Sequence, residues 1–456
     1  MAAQYAGFRK AFEYPLMSAI LHRRTRRVSK GIRELRAGSL TYTSGQEPQP
    51  LTKLEEALLI FTTGITGITL HDMPFQTPEG KDITLTLYLN VPGRAASSPD
   101  NVQTTHFFMI NDSGTYFLKT PELDDPVTFW KDGVTPEKLI ELADRAKVKV
   151  LNERLDFNTR DWPVYTGTNR YLSNVPGSTI FVPIIDLSKY YINVLLYLIG
   201  QEGHGFRASW IDDWRFYRTA GVQRWVDNGY LNKKLVPFAL GWSYTFRGHI
   251  EADLLSQNLL LTIQAMGLGG WIHAAFPPPI LLGDPETRDK YGPGLDFRFH
   301  TPRKTLCRWL MKPITPLPAW RPNPIGLDNI IESYCPPYHK DMDAAVDALV
   351  HLKEGKPNGV YRDPKYFEEI FNKPFARDFL KEVPRDTKES IGVCKDICNY
   401  IYDTYDRFPA HVDAIYVPGT WVQALHLDLD YYDKLYNGGY SETQAEHQRL
   451  WHDDDY

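Results

Sequence analysis

The longest patterned apolar run lies between His249 and Phe276. Ile250, Leu254, Asn258, Leu261 and Ala265 recur three and four residues apart, the period of one helix face. No Pro or Gly interrupts the run until Gly267. Gly267-Leu268-Gly269-Gly270 then predicts a glycine C-cap, and Trp271 to Phe276 a short apolar ledge. Taken alone, the stretch reads as a core helix with an ordinary cap.

Other periodicities extend the picture. Leu54, Leu58, Leu59 and Phe61 predict a helix from Leu51 to Thr63, ended by Gly64 and Gly67. Ile83 to Val91 alternates apolar and polar residues as a half-buried strand does. Phe107 to Asp112 and Thr115 to Lys119 flank Ser113-Gly114 and predict a hairpin. Pro136 to Ala146 predicts a helix. Residues 179–200 fit a strand or a buried helix, and period alone does not decide. Residues 13–36 read as a helix, a basic turn and a second short element. Residues 38–45 read as a turn or short strand, and Asn323 to Asp328 as a turn. Helices are predicted near 340–354, 364–381 and 387–405, and a strand at 411–428. The expected fold is α+β, a mainly antiparallel sheet flanked by helices. Residues 1–330 would form its main domain, and residues 331–456 a C-terminal region packed on that core.

Composition narrows the class. At 456 residues with 43% hydrophobic residues, the chain has ample material for a large core. A net charge of −5 does not call for nucleic acid or an anionic membrane as partner. The 27 Tyr and 11 Trp speak against disorder and suit a small-molecule pocket. Four cysteines are too few for a disulfide framework, and Cys394 and Cys398 read as core thiols. The first thirty residues lack an apolar signal-peptide core, and Phe181 to Gly200 is too polar for a span. A cytoplasmic protein is expected.

Candidate chemistry concentrates in three stretches. Arg23-Arg24-Thr25-Arg26-Arg27 places four arginines around a hydroxyl, a set able to grip a phosphate by bidentate bonds, or else a solvated basic face. Arg94, Ser97, Ser98, Asn101 and Gln103 lie in a polar loop before the hairpin. Their amides and hydroxyls could meet a heterocycle or its polar tail, or the loop is a plain connection. The third stretch is the helix end and ledge. Residues 201–247, dense in Trp, Arg and Tyr, could wall a pocket or form an interface.

In order and placement, these stretches resemble the nitroreductase superfamily of flavin enzymes, over roughly residues 15–330. The basic turn is similar to that family's Arg-x-Ser-x-Arg/Lys segment, with Thr25 in the place of Ser. Gly93-Arg94 through Asn101 is similar to the loop of the branch that includes peptide azoline dehydrogenases. Leu260 to Gly269 is similar to the helix ending in Gly-Leu-Gly. The resemblance implies FMN, with its phosphate on Arg23, Arg24, Thr25 and Arg27, and Arg303 and Lys304 as further candidates. It implies a flavin ring near Gly267, Leu268, Gly269, His273, Ala274 and Ala275, and along the loop 94–103. It also implies a homodimer and a small-molecule substrate, with NAD(P)H as a possible donor. Three readings stay open: an FMN-dependent oxidoreductase of a planar or conjugated molecule, a flavin dehydrogenase or oxidase of a peptide or natural-product intermediate, and a non-catalytic flavin-binding protein. No catalytic side chain is assigned, since flavin carries the redox chemistry. His411-x-Asp413 and His426-x-Asp428-x-Asp430 are weighed as metal ligands and read instead as a solvated polar strand face. No metal set is assigned. Glu202, His204, His249 and Glu251 are weighed for acid–base work and read as structural.

Overall fold

The computed structural model describes residues 2–36, 38–63, 75–76, 82–83, 96–99, 103–119, 135–156, 169–200, 208–210, 221–236, 240–273, 278–303, 322–355, 364, 368, 373–383, 385–408, 411–413 and 420–452. Ten helices matter for the argument. They are α1 (Ala2–Glu13), α2 (Leu16–His22), α3 (Lys53–Thr62), α4 (Pro136–Ala146), α5 (Ser188–Gly200), α6 (Leu240–Met266), α7 (Met342–Glu354), α8 (Lys388–Tyr405), α9 (Leu429–Tyr436) and α10 (Glu442–Trp451). The main sheet uses β1 (Thr105–Asn111), β2 (Gly114–Leu118), β3 (Lys147–Leu151), β4 (Thr179–Asp186), β5 (Gly269–His273), β6 (His411–Asp413) and β7 (Trp421–Leu425). Its order is β3-β2-β1-β4-β7-β5, antiparallel at every pairing. β6 also pairs with β4, end to end with β7 along the same edge. The mixed α+β fold with an antiparallel sheet flanked by helices therefore stands.

Alternation along β1 builds the two layers. Phe107 and Met109 point to one face, where they pack with α3, α4 and the α6 residues Leu255, Leu259 and Ile263. Phe108 and Ile110 point to the other face, with Val182, Ile280, Leu295 and Trp421. Residues 179–200 resolve into both alternatives: buried β4, then α5. α5 and α8 share a second core with Cys394 and Cys398, both buried thiols. The segment expected as a turn, Asn323–Leu327, is instead a strand between Arg298–His300 and Ile331–Glu332. The turn proper falls after it, where Asn329 adopts a positive φ. The expected strand at 83–91 lies outside the described residues beyond Asp82–Ile83.

One correction concerns the long helix, and one addition the C-terminal region. The stripe Ile250, Leu254, Asn258 does not face the core: Ile250 is 49% and Leu254 38% exposed. The buried face carries Ala252, Leu255, Leu259 and Ile263. α6 is apolar on more than one side, so periodicity found a real stripe but not the inward one. Phe246 continues the outward stripe, and Leu16, Met17, Ile20 and Leu21 of α2 are exposed as well. Residues 331–456 were expected to pack on the core, and they also supply β6 and β7 to its sheet. Among the described residues, no helix is long and apolar enough to cross a membrane.

Candidate functional site

The basic turn follows α2, whose C-cap Arg23 leaves helical geometry at ψ 131°. The chain then runs extended along β5 and the exit of β7. Arg26 bridges to Gly270, Ser29 bridges to Leu427, and Lys30 N–H donates to the His426 carbonyl at 3.0 Å. The Tyr432 hydroxyl oxygen accepts from Arg27 N–H at 3.0 Å and Val28 N–H at 3.3 Å. Arg26 Nε donates to the Gly439 carbonyl, and its guanidinium lies 5.6 Å from the Tyr432 ring centre. Arg24 folds back on the Leu21 and Arg23 carbonyls.

Beside this turn is a cavity of about 300 Å³, near the lower limit of small-molecule sites, lined by Thr25, Arg26, Arg27, Tyr431, Tyr432 and Tyr436 among others. A larger one of about 550 Å³, lined by Arg33, Arg36, Arg170 and Ser173 among others, neighbours it. Of the four residues expected to hold the phosphate, Thr25 and Arg27 line the smaller cavity, and Arg23 and Arg24 are not part of its lining. Behind it, Arg27 lies 5.6 Å from the Trp271 ring, and Trp271 lies 5.1 Å from His273. His273 stacks on Trp421 at 4.4 Å, with planes 6° apart. Burial, and then the Arg27 charge, pushes the His273 pKa down to about 4, so its ring is neutral at pH 7. The buried Trp271 Nε1 has no hydrogen-bond partner among the described residues. The cations, phenols and hydroxyl that line the cavity suit an anionic, planar ligand. They position a group rather than attack one.

The other expected site residues divide. Gly267, Leu268 and Gly269 are turned toward the C-terminal region, not toward the cavity. A Cβ on Gly267 would come 2.3 Å from the Thr443 carbonyl oxygen, and one on Gly269 2.4 Å from Leu427. Gln444 Nε2 donates to the Leu268 carbonyl at 3.1 Å. These glycines serve close packing against the C-terminal region. Gln103, with Ser98 bound beside it, sits at the opposite end of the sheet from Gly270. Thr105 pairs with Ile185, whereas Gly270 is level with Thr179 across β7. Six residues of strand separate those levels, about 20 Å.

Ser98 and Gln103 are organised by Glu251. Its buried carboxylate accepts from the Ser98 hydroxyl, from Gln103 N–H at 2.8 Å and from Thr105 N–H at 2.8 Å. Glu251 is thus a structural clamp on the loop, as read from sequence. Ser97 is exposed. Arg94, Asn101, Ala274, Ala275, Lys304, Glu202 and His204 lie outside the described residues. Arg303 N–H donates to Asp406, which caps α8, so this residue sits with the smaller sheet instead of the basic turn.

The His426–Asp430 run also differs from expectation. β7 ends at Leu425, and Asp428 is the N-cap of α9. Asp428 is buried and accepts from the Tyr42 hydroxyl at 3.0 Å and from the Ser44 hydroxyl. Asp430 takes the Gln46 amide at 3.1 Å. This is no solvated strand face, and the three residues do not converge.

His426 turns inward to Glu55, where His447 and His452 also arrive. Glu55 Oε1 lies 3.2 Å from His426 Nε2, 2.9 Å from His447 Nε2 and 3.2 Å from His452 Nε2. Glu55 occupies the first turn of α3. Its Oε2 accepts Thr52 N–H at 2.6 Å in a capping box, which fixes the carboxylate. Burial opposes the charge on Glu55, but His426, with His447 and His452, outweighs it and holds the carboxyl well below its usual range. Sequence reasoning missed Glu55, His447 and His452. Its one available signal was three histidines in the last thirty-odd residues, two of them five apart around a helix end. No protein-family model and no curated protein matches the chain.

Proposed function

We propose that this chain is an FMN-dependent oxidoreductase acting on a planar or conjugated small molecule. The observation that carries the reading is the docking of the basic turn on the ledge strand. Residues more than two hundred positions apart meet at the Arg26–Gly270 bridge and the Arg27–Trp271 contact. The resemblance gives the phosphate to the basic turn and the flavin ring to the ledge, so their contact supports the reading. Bound FMN would supply hydride transfer through its N5 atom.

The chain's own part is to bind and orient. Thr25 and Arg27, both exposed at the cavity, would take the phosphate, with half-buried Arg23 beside them. Tyr431, Tyr432 and Tyr436 would bound the ring or its tail. Neutral His273 adds no competing positive charge at pH 7. NAD(P)H would stack on the same site as electron donor.

The proposal includes a second copy of the chain. The outward stripe Phe246, Ile250, Leu254 on α6, beside the exposed apolar residues of α2, is its seat. Sedimentation at micromolar protein should show a dimer, and a monomer there overturns this part.

The cofactor is tested directly. The purified protein, incubated with FMN and desalted, should retain flavin absorbance, and the released chromophore should have the mass of FMN. Arg27→Ala should bind FMN about 10- to 100-fold more weakly, as loss of a charge-assisted bond of about 1.5–3 kcal/mol dictates. A wild-type protein that retains no flavin, or an Arg27→Ala protein of unchanged affinity, removes the reading.

A further inference from the structure

The cluster around Glu55 brings more ring nitrogens to one carboxylate oxygen than the neutral rings have protons to share. His426 Nδ1 lies 2.8 Å from the Gln49 carbonyl oxygen, and His447 Nδ1 lies 2.8 Å from the Met266 carbonyl oxygen. A carbonyl only accepts, so both Nδ1 atoms carry the proton. In their neutral forms, both rings then present Nε2 lone pairs to the cluster centre. What they meet there is Glu55 Oε1, itself an acceptor. His447 Nε2 is 2.9 Å from that oxygen yet makes no hydrogen bond with it. His426 Nε2 and His452 Nε2 face each other at 3.1 Å. Three lone-pair atoms thus meet His452 Nε2, which offers a fourth lone pair when its proton sits on Nδ1, and every pair lies within 4.8 Å.

A cation at the centre resolves the arrangement. Four ligands at about 2.0–2.2 Å in a tetrahedron lie about 3.3–3.6 Å apart along each edge. Four of the six separations, at 2.9–3.2 Å, approach those edges. The Nδ1 bonds to Gln49 and Met266 are the outer contacts that fix ring tautomer and direction in metal sites. Glu55 can offer one oxygen only, because Thr52 holds the other.

We propose that Glu55, His426, His447 and His452 bind one divalent first-row cation of the zinc class, in a closed tetrahedral site with three nitrogens and one oxygen. Four protein ligands leave no open position, so the site is structural. It joins the start of α3, the exit of β7 and the end of α10. Glu55, His426 and His447 are buried, while the His452 side chain, 12% exposed, gives the ion its way in. The flavin reading is independent of this site.

The test uses the untagged full-length protein, stripped with a soluble chelator and titrated with Zn2+ or Co2+. One equivalent of Zn2+ should bind and raise the unfolding temperature. Co2+ should give the intense visible bands of a tetrahedral ion. His452→Ala, at the accessible edge, should keep its circular dichroism and bind Zn2+ at least about tenfold more weakly. Glu55→Gln should lose the Co2+ bands. A stripped, folded wild-type protein that shows no temperature shift and no Co2+ bands overturns the proposal. So does a folded His452→Ala protein with wild-type stoichiometry and affinity, which would place the ion elsewhere.

Discussion

Glu251→Ala should lower the unfolding free energy by about 3–5 kcal/mol, a loss on the scale of breaking a buried charged group's partnerships. The carboxylate is buried on α6 and gathers Ser98, Gln103 and Thr105 onto that helix. Alanine would leave the Gln103 and Thr105 N–H groups without this acceptor at buried positions. Gln103 also holds a positive φ of 48°, a conformation sustained by its surroundings. Glu251→Gln keeps one acceptor oxygen and should lose about half as much. Urea unfolding of both variants measures the effect. A loss below about 1 kcal/mol for Glu251→Ala would mean that the clamp has little energetic weight.

Gly267→Val should cost about 2–5 kcal/mol, combining the left-handed penalty of about 1–2 with overpacking of about 1–3. Gly267 has φ +82° and ends α6 in a Schellman arrangement. Leu268 N–H donates to Ile263 at 3.0 Å and Gly267 N–H to Gln264 at 3.2 Å. Any Cβ there meets the Thr443 carbonyl, so α10 has to move. Gly38 is a control: its φ is +59°, but a Cβ there would meet open space. Gly38→Val should lose only the conformational part. Equal losses at the two positions would show that the contact with α10 contributes nothing.

The sequence made local chemistry legible. The Gly267 cap, the α4 boundaries and the β1–β2 hairpin each follow from residues close together in the chain. The inward face of α6 did not, because the helix carries apolar stripes on two sides and only the neighbouring sheet selects one. Asp428 reads as a strand position until the end of β7 at Leu425 is known, and then it becomes a helix cap. The Glu55 cluster lies further out of reach. Its partners stand 371 and 397 residues from Glu55, and nothing local marks a capping-box glutamate as a meeting point. The basic turn was legible as a charge pattern, whereas its seat on β5 is a long-range fact.

The place of β7 between β4 and β5 has a consequence for how the protein is made. Among the described residues, β5 joins the sheet only through β7, and β7 is translated long after β5 has left the ribosome. Synthesis from His273 to Trp421 takes roughly 7–30 s at about 5–20 residues per second. Throughout that interval β4 has no β7 beside it, and an unpaired strand edge templates association with other chains. Nascent chains on neighbouring ribosomes are therefore exposed to one another at this edge. A message broken before codon 411 releases a product whose sheet cannot close.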